Sequence, residues 1–139
     1  MPSTTEPDNS WEVSGVVSVT SPSPVSDTVE RLKRAIGSAG LTLFAVVDHS
    51  GGAHDVGLAM NDTKLLIFGN PRAGTPAMIA SPLLGLELPS KALVWADDQD
   101  HVRVSYHDAA DWQRRYAVPG ELIGPLSGTG RLIETALAG

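Results

Sequence analysis

The sequence predicts an α+β fold: a two-layer sandwich in which a mostly antiparallel five-stranded sheet is covered by helices. Three observations predict it. Short β-rich apolar runs alternate with helical patterns, as in "LTLFAVVDHS" and "LIFG". A polar turn at Asp97–Asp100 sits between two such runs, which demands a hairpin that a doubly wound parallel sheet does not supply. Val29, Leu32 and Ile36 recur on one helical face.

Each element follows in order. Residues 1–11 are polar and without periodicity, and are expected to form a disordered tail ahead of a single domain over 12–139. "WEVSGVVSVTS" is valine-rich and gives a first strand, which "SPSP" breaks. Asp27 with Glu30 resembles a capping box opening the first helix, and Gly40 stops it. Leu41 to Val47 is almost continuously apolar, as expected of a strand buried on both faces. "AHDVGLAM" reads as a short helix and Lys64 to Phe68 as a strand. Thr75 is placed to cap a helix with Pro76 in its first position, where a missing N–H costs nothing. Lys91–Trp95 and His101–Tyr106 form the hairpin, with Trp95 and Phe68 assigned to the core. Asp108 caps a helix through Tyr116, in which Trp112 and Tyr116 pack as an i, i+4 pair. "VPGELIGP" is a loop, and Leu126–Ala138 a terminal helix.

Bulk properties exclude several classes. The 139 residues are 42% hydrophobic and 19% charged, with no apolar run near the ~20 residues a membrane helix needs and no signal-peptide pattern. The expectation is a cytoplasmic protein without membrane partners. There is no cysteine, which removes disulfides and thiolate chemistry. A net charge of −6 with scattered basic residues speaks against nucleic acid.

Two corners carry candidate chemistry. Asp48-His49 ends an apolar strand, where a rigid scaffold holds reactive groups, and His49 is suited to moving a proton. Gly69-Asn70-Pro71 redirects the chain, with Asn70 offering a donor and an acceptor. Helix N–H groups around Thr75–Ala77 would face an anion. Tyr106 is a further polar group near a strand end. There is no Walker A loop, no Gly-x-Ser-x-Gly and no dinucleotide fingerprint, so no cofactor is expected. His49 and His54 are five residues apart rather than i, i+4, and His101 and His107 would stand roughly 20 Å apart along a strand. No metal is assigned on that basis.

The order of "TVERLKRAIGSAGLTLFAVVDHS", "LIFGNPRAGTPAM", "LELPSKALVWAD" and "VRVSYHD" resembles the domain of unknown function 302 family. The resemblance runs from about Val13 to the end. It matches at Asp48, His49, Ala53, Gly57, Gly69, Asn70, Pro71, Gly74, Thr75, Pro76, Leu88, Pro89 and Tyr106, and departs at "SGGAH". It implies a small α+β protein with a mostly antiparallel sheet, often dimeric, and no common activity.

The functional expectation is a small-molecule-binding protein or an acid/base enzyme acting on a carbonyl or carboxylate compound, of isomerase, lyase, cyclase or hydrolase type. Asp48, His49, Asn70 and Tyr106 would converge on one cleft. His49 acts as acid or base oriented by Asp48, and Asn70, Thr75 and Tyr106 hold the substrate. The competing class is a non-catalytic homodimeric module pairing through a sheet edge, the hairpin being the candidate. A third is a metal or haem carrier using His49 or His54.

Overall fold

The computed structural model describes residues 12–138; the expected tail of residues 1–11 lies outside them. Five strands run β1 (Val16–Ser21), β2 (Thr42–Asp48), β3 (Thr63–Gly69), β4 (Ser90–Ala96) and β5 (Val102–His107). They form one sheet of order β1-β5-β4-β3-β2, antiparallel throughout. The helices are α1 (Val25–Ser38), α2 (His49–Asp55), α3 (Pro71–Ala80), α4 (Ala109–Tyr116), α5 (Gly120–Ile123) and α6 (Thr129–Ala138). This is the expected α+β sandwich.

Helices α1 and α6 cover one face of the sheet. Leu32 and Ile36 from α1 and Ile133 from α6 meet Leu66, Val94 and Val104 from alternate strand positions, all at most 1% exposed. Period two along the strands and period 3.6 along the helices put these residues on facing surfaces. α1 keeps its predicted face and ends at Gly40, whose φ of +74° suits glycine. It starts earlier than Asp27, however, at Val25 after Pro24, with no side-chain cap; Asp27 instead lies in the first turn near the positive helix end. A second apolar cluster lies where α3, α4 and α5 meet: Ala77, Leu84, Trp112, Val118, Ile123 and Leu126.

Five expectations about elements need correction. β2 is an edge strand rather than one buried on both faces: it pairs only with β3, and Phe44, Val46 and Val47 are 50%, 37% and 37% exposed. The β4–β5 hairpin lies inside the sheet, so it offers no free edge; the edges are β1 and β2. Trp95 sits on the uncovered sheet face, its indole N–H donating to Ser105 Oγ at 2.9 Å, while Phe68 is core as expected. The helix expected over "AHDVGLAM" runs instead over His49–Asp55, directly after β2, so residues 56–60 are not helical. The terminal segment also divides, with α5 and a single 3-10 turn (Gly124–Leu126) ahead of α6.

Candidate functional site

Asp48 and His49 form a helix start. Asp48 is the N-cap of α2: its Oδ1 accepts from the Gly51 N–H at 2.9 Å and from Ser50 Oγ at 3.1 Å. Lys64 Nζ lies 3.7 Å from the same oxygen. The Gly51 N–H, aided by Ser50 and Lys64 against partial desolvation, holds the Asp48 carboxyl below its ordinary range. Gly51 is needed here, since a Cβ would fall 2.3 Å from Asp48 Oδ2. Asp48 therefore serves backbone and Lys64 rather than orienting an imidazole. No residue of α2 is buried.

Asn70 also caps a helix, which revises the expected start of α3. Its Oδ1 accepts from Arg72 N–H at 3.0 Å, and its carbonyl accepts from Ala73 N–H at 3.0 Å and Gly74 N–H at 3.1 Å. Pro71 fills the first helical position, where no N–H is required. Thr75 and Pro76 consequently lie inside α3, and the N–H groups near them do not form an open helix end. The expected anion-facing wall is absent at this position because the cap sits five residues earlier.

The expected convergence does not form. Asp48 pairs with Lys64 at one end of the β2–β3 ladder and Gly69 pairs with Thr42 at the other. Six residues of extended chain, about 20 Å, separate His49 from Asn70. Tyr106 lies on β5 beneath α6, where a Cβ on Gly130 would come 2.6 Å from its hydroxyl. Burial, with Glu134 and Asp108 nearby, raises the Tyr106 pKa above its ordinary value.

Asn70 and Thr75 do share a cavity, of about 400 Å³, at the junction of the two apolar clusters. Its apolar walls come from Leu41, Phe44, Phe68, Met78, Leu88 and Leu132. Small residues leave the space open: Gly69, Ala73, Gly74 and Gly128. Its polar side chains are those of Asn70, Thr75, Ser90 and Thr129, and among the described residues no ionisable side chain lines it. The register of β2 shifts between Leu43 and Ala45, leaving Phe44 as the extra residue of an irregularity that aims a ring at this space. Sequence reading had the Gly-Asn-Pro corner but missed Phe44, Met78 and Leu132. Their spacing reads as ordinary core pattern, and only the packing of α3 and α6 leaves a gap between them. Among the described residues no cluster of three or more His, Cys, Asp or Glu side chains stands ready to hold a metal.

Comparison with known proteins agrees with this architecture. The family model "Domain of unknown function DUF302" matches residues 17–127. The chain belongs to that family. A crystal structure of an uncharacterized conserved DUF302 protein from Bacillus stearothermophilus superposes with a TM-score of 0.75 at 15% identity, covering 91% of this chain and 98% of that one. It supports the fold of this DUF302 domain. Two curated relatives are named Fluoride-specific ion channel FluC 1. The one from Brucella suis biovar 1 (strain 1330) is 39% identical over 105 residues, covering 76% of this chain and 41% of that protein. The one from Brucella abortus biovar 1 (strain 9-941) is also 39% identical, with 76% of this chain matching 39% of its length. The DUF302 domain thus spans about two-fifths of these relatives. Among its described residues no helix is long and apolar enough to cross a membrane.

Proposed function

We propose that this DUF302 domain binds a small, uncharged, predominantly apolar molecule in the cavity between β2–β3, α3 and α6. The observation that carries the reading is a space of about 400 Å³ lined by apolar side chains and four neutral polar ones. Ligand sites have this composition, with a few polar groups fixing orientation within an apolar wall. A charged ligand would be desolvated there without a counter-charge. Asn70 supplies the most directed polar group, since capping occupies its Oδ1 and leaves the amide N–H donors for a carbonyl or hydroxyl. The acid/base enzyme reading loses support, because His49 stands about 20 Å along the ladder from this space. The channel activity in the relatives' name describes whole proteins more than twice as long as the match, and we leave it with them.

Gly69→Leu tests the proposal. A Cβ at Gly69 would contact Pro89 at 3.6 Å and Phe44 at 3.7 Å, both cavity-lining, so the added side chain grows into the space without a backbone clash. A panel of neutral apolar compounds, followed by amide chemical shifts of residues 69–78 and 125–132, is expected to find ligands that Gly69→Leu no longer binds. Binding that persists in this variant, or shifts confined to other surfaces, would overturn the reading.

A second reading concerns assembly and rests on β2. Among the described residues its outer edge has no partner strand, and it carries Phe44, Val46 and Val47 at least one-third exposed, with no lysine or proline within β2. Such an edge accepts another strand, and a second copy of this chain pairing β2 to β2 would both satisfy the backbone and cover the apolar side chains.

A further inference from the structure

Where β4 and β5 meet α4, a cluster of ionisable groups lies that the cavity does not use. The segment from Leu88 to Ser90 walls the cavity, and Glu87 and Lys91 flank it. Glu87 is the hub. Its Oε2 accepts from the Tyr116 hydroxyl at 2.5 Å, and its Oε1 lies 3.9 Å from His107 Nδ1. The carboxylate is only 14% exposed whereas the imidazole is 39% exposed and open to solvent. Tyr116 is held protonated above its usual range, chiefly by the bond to Glu87, and Arg115 stacks on its ring at 5.2 Å. Lys91 and His107 both alternate away from the core on neighbouring strands, each two residues beyond the Leu93–Ser105 pair at which the β4–β5 ladder ends, and Glu87 is the group that both approach.

Lys91 differs from the other two lysines. Lys33 pairs with Glu30 at 3.2 Å, and Lys64 pairs with Asp62 at 2.9 Å. Lys91 Nζ instead donates to two neutral carbonyls, of Glu87 at 2.9 Å and Pro89 at 3.0 Å. Burial lowers its pKa, with the Glu87 charge opposing. A neutral amine keeps both of these hydrogen bonds with its two protons, and its lone pair then points away from the carbonyls. A partly desolvated amine beside an acid–base pair is how proteins activate lysine toward carbonyl carbon.

We propose that Lys91 is the nucleophile of a second site at this end of the sheet, one that takes small aldehydes or ketones as a Schiff base. The amine lone pair adds to the carbonyl carbon. A nitrogen proton passes through the His107 imidazole to the resulting oxygen, giving a carbinolamine. The imidazole, recharged from solvent, then protonates the hydroxyl, which leaves as water as the C=N bond forms, and the proton of the resulting iminium nitrogen returns to the His107 imidazole. Glu87 orients His107 and balances its charge as it carries the proton. The site lies outside the cavity and stands or falls independently of the ligand proposed there.

The experiment exposes the full chain at neutral pH to propanal with cyanoborohydride, which fixes imines as propylamines, and follows each lysine by peptide mass spectrometry. Lys91 is expected to be alkylated severalfold faster than Lys33 and Lys64. His107→Gln is expected to slow Lys91 while leaving Lys33 unchanged. Alkylation of Lys91 at or below the rate of the two ion-paired lysines in the wild-type chain would overturn the proposal, and that comparison needs no variant to fold. An unchanged Lys91 rate in folded His107→Gln would overturn the proton-carrying role of His107.

Discussion

Asp97 closes the β4–β5 turn almost by itself. Its Oδ1 accepts from the His101 N–H and the Gln99 N–H, each at 2.9 Å, and Arg103 donates to its Oδ2 at 3.2 Å. These bonds let Asp100 take the left-handed φ of +66° that the turn requires. The His101 N–H is the largest of the influences lowering the Asp97 pKa from 3.8, followed among the favourable ones by Gln99 and Arg103. A folded-state pKa below the unfolded one means that folding favours the carboxylate. The contribution is complete above the ordinary aspartate range and disappears as pH falls through the lower folded value. Thermal melting of wild type and Asp97→Asn from about pH 6 down to about pH 2 is expected to differ most at the upper end and to converge at the lower. A difference that stays constant with pH would refute this account. The polar run "DDQD" was legible as a turn, but not the fact that Asp97 turns inward to hold it.

At the scale of elements, β2 separates what pattern reveals from what pattern conceals. Its apolar run established a strand. Burial on both faces was the natural expectation for a continuous run, yet a strand's exposure depends on how many neighbours the topology gives it, and β2 has one. On the pairing proposed above, the same residues take on a different meaning, as an adhesive edge. Val47→Lys places a charge on that edge, a common natural device against strand pairing. Sedimentation velocity is expected to show a dimer for the wild-type chain and a monomer for Val47→Lys. A monomeric wild-type chain at high protein concentration would remove the β2 pairing. Helix starts show a related limit. Asp108 was readable as the cap of α4, and its Oδ1 does accept from Ala110 N–H at 3.0 Å. For α3 the expected cap was Thr75, whereas Asn70, also followed by proline, is the residue that caps it. Only the end point of β3 decides between them.

For the whole molecule, two packing centres meet imperfectly and leave the cavity between them. α1 and α6 cover the sheet, α3 to α5 close its end, and the small residues at the seam leave space that larger ones would fill. The placement of His49 yields a further prediction. Substitutions about 20 Å apart with no shared partner act independently, so His49→Ala should leave the affinity of any cavity ligand within about twofold, whereas Gly69→Leu should abolish it. Isothermal titration of both variants with one ligand checks this, and a large loss in His49→Ala would restore a role for the Asp-His corner in that site.

By itself the sequence determined the five strands, the order of the main elements, the antiparallel hairpin, the covering face of α1 and the family. These depend on periodicity, capping and turn chemistry, which act over a few residues. It also marked Asn70 and Thr75 as neighbours of one site. The tertiary structure alone decided that β2 lies at an edge, that His49 and Asn70 stand at opposite ends of one ladder, and that Glu87 gathers His107 and Tyr116 beside Lys91. An antiparallel return reverses direction. Two corners that both follow a strand in sequence therefore fall at opposite ends of the sheet, and residues from 87 to 116 meet only because β4, β5 and α4 fold back on one another.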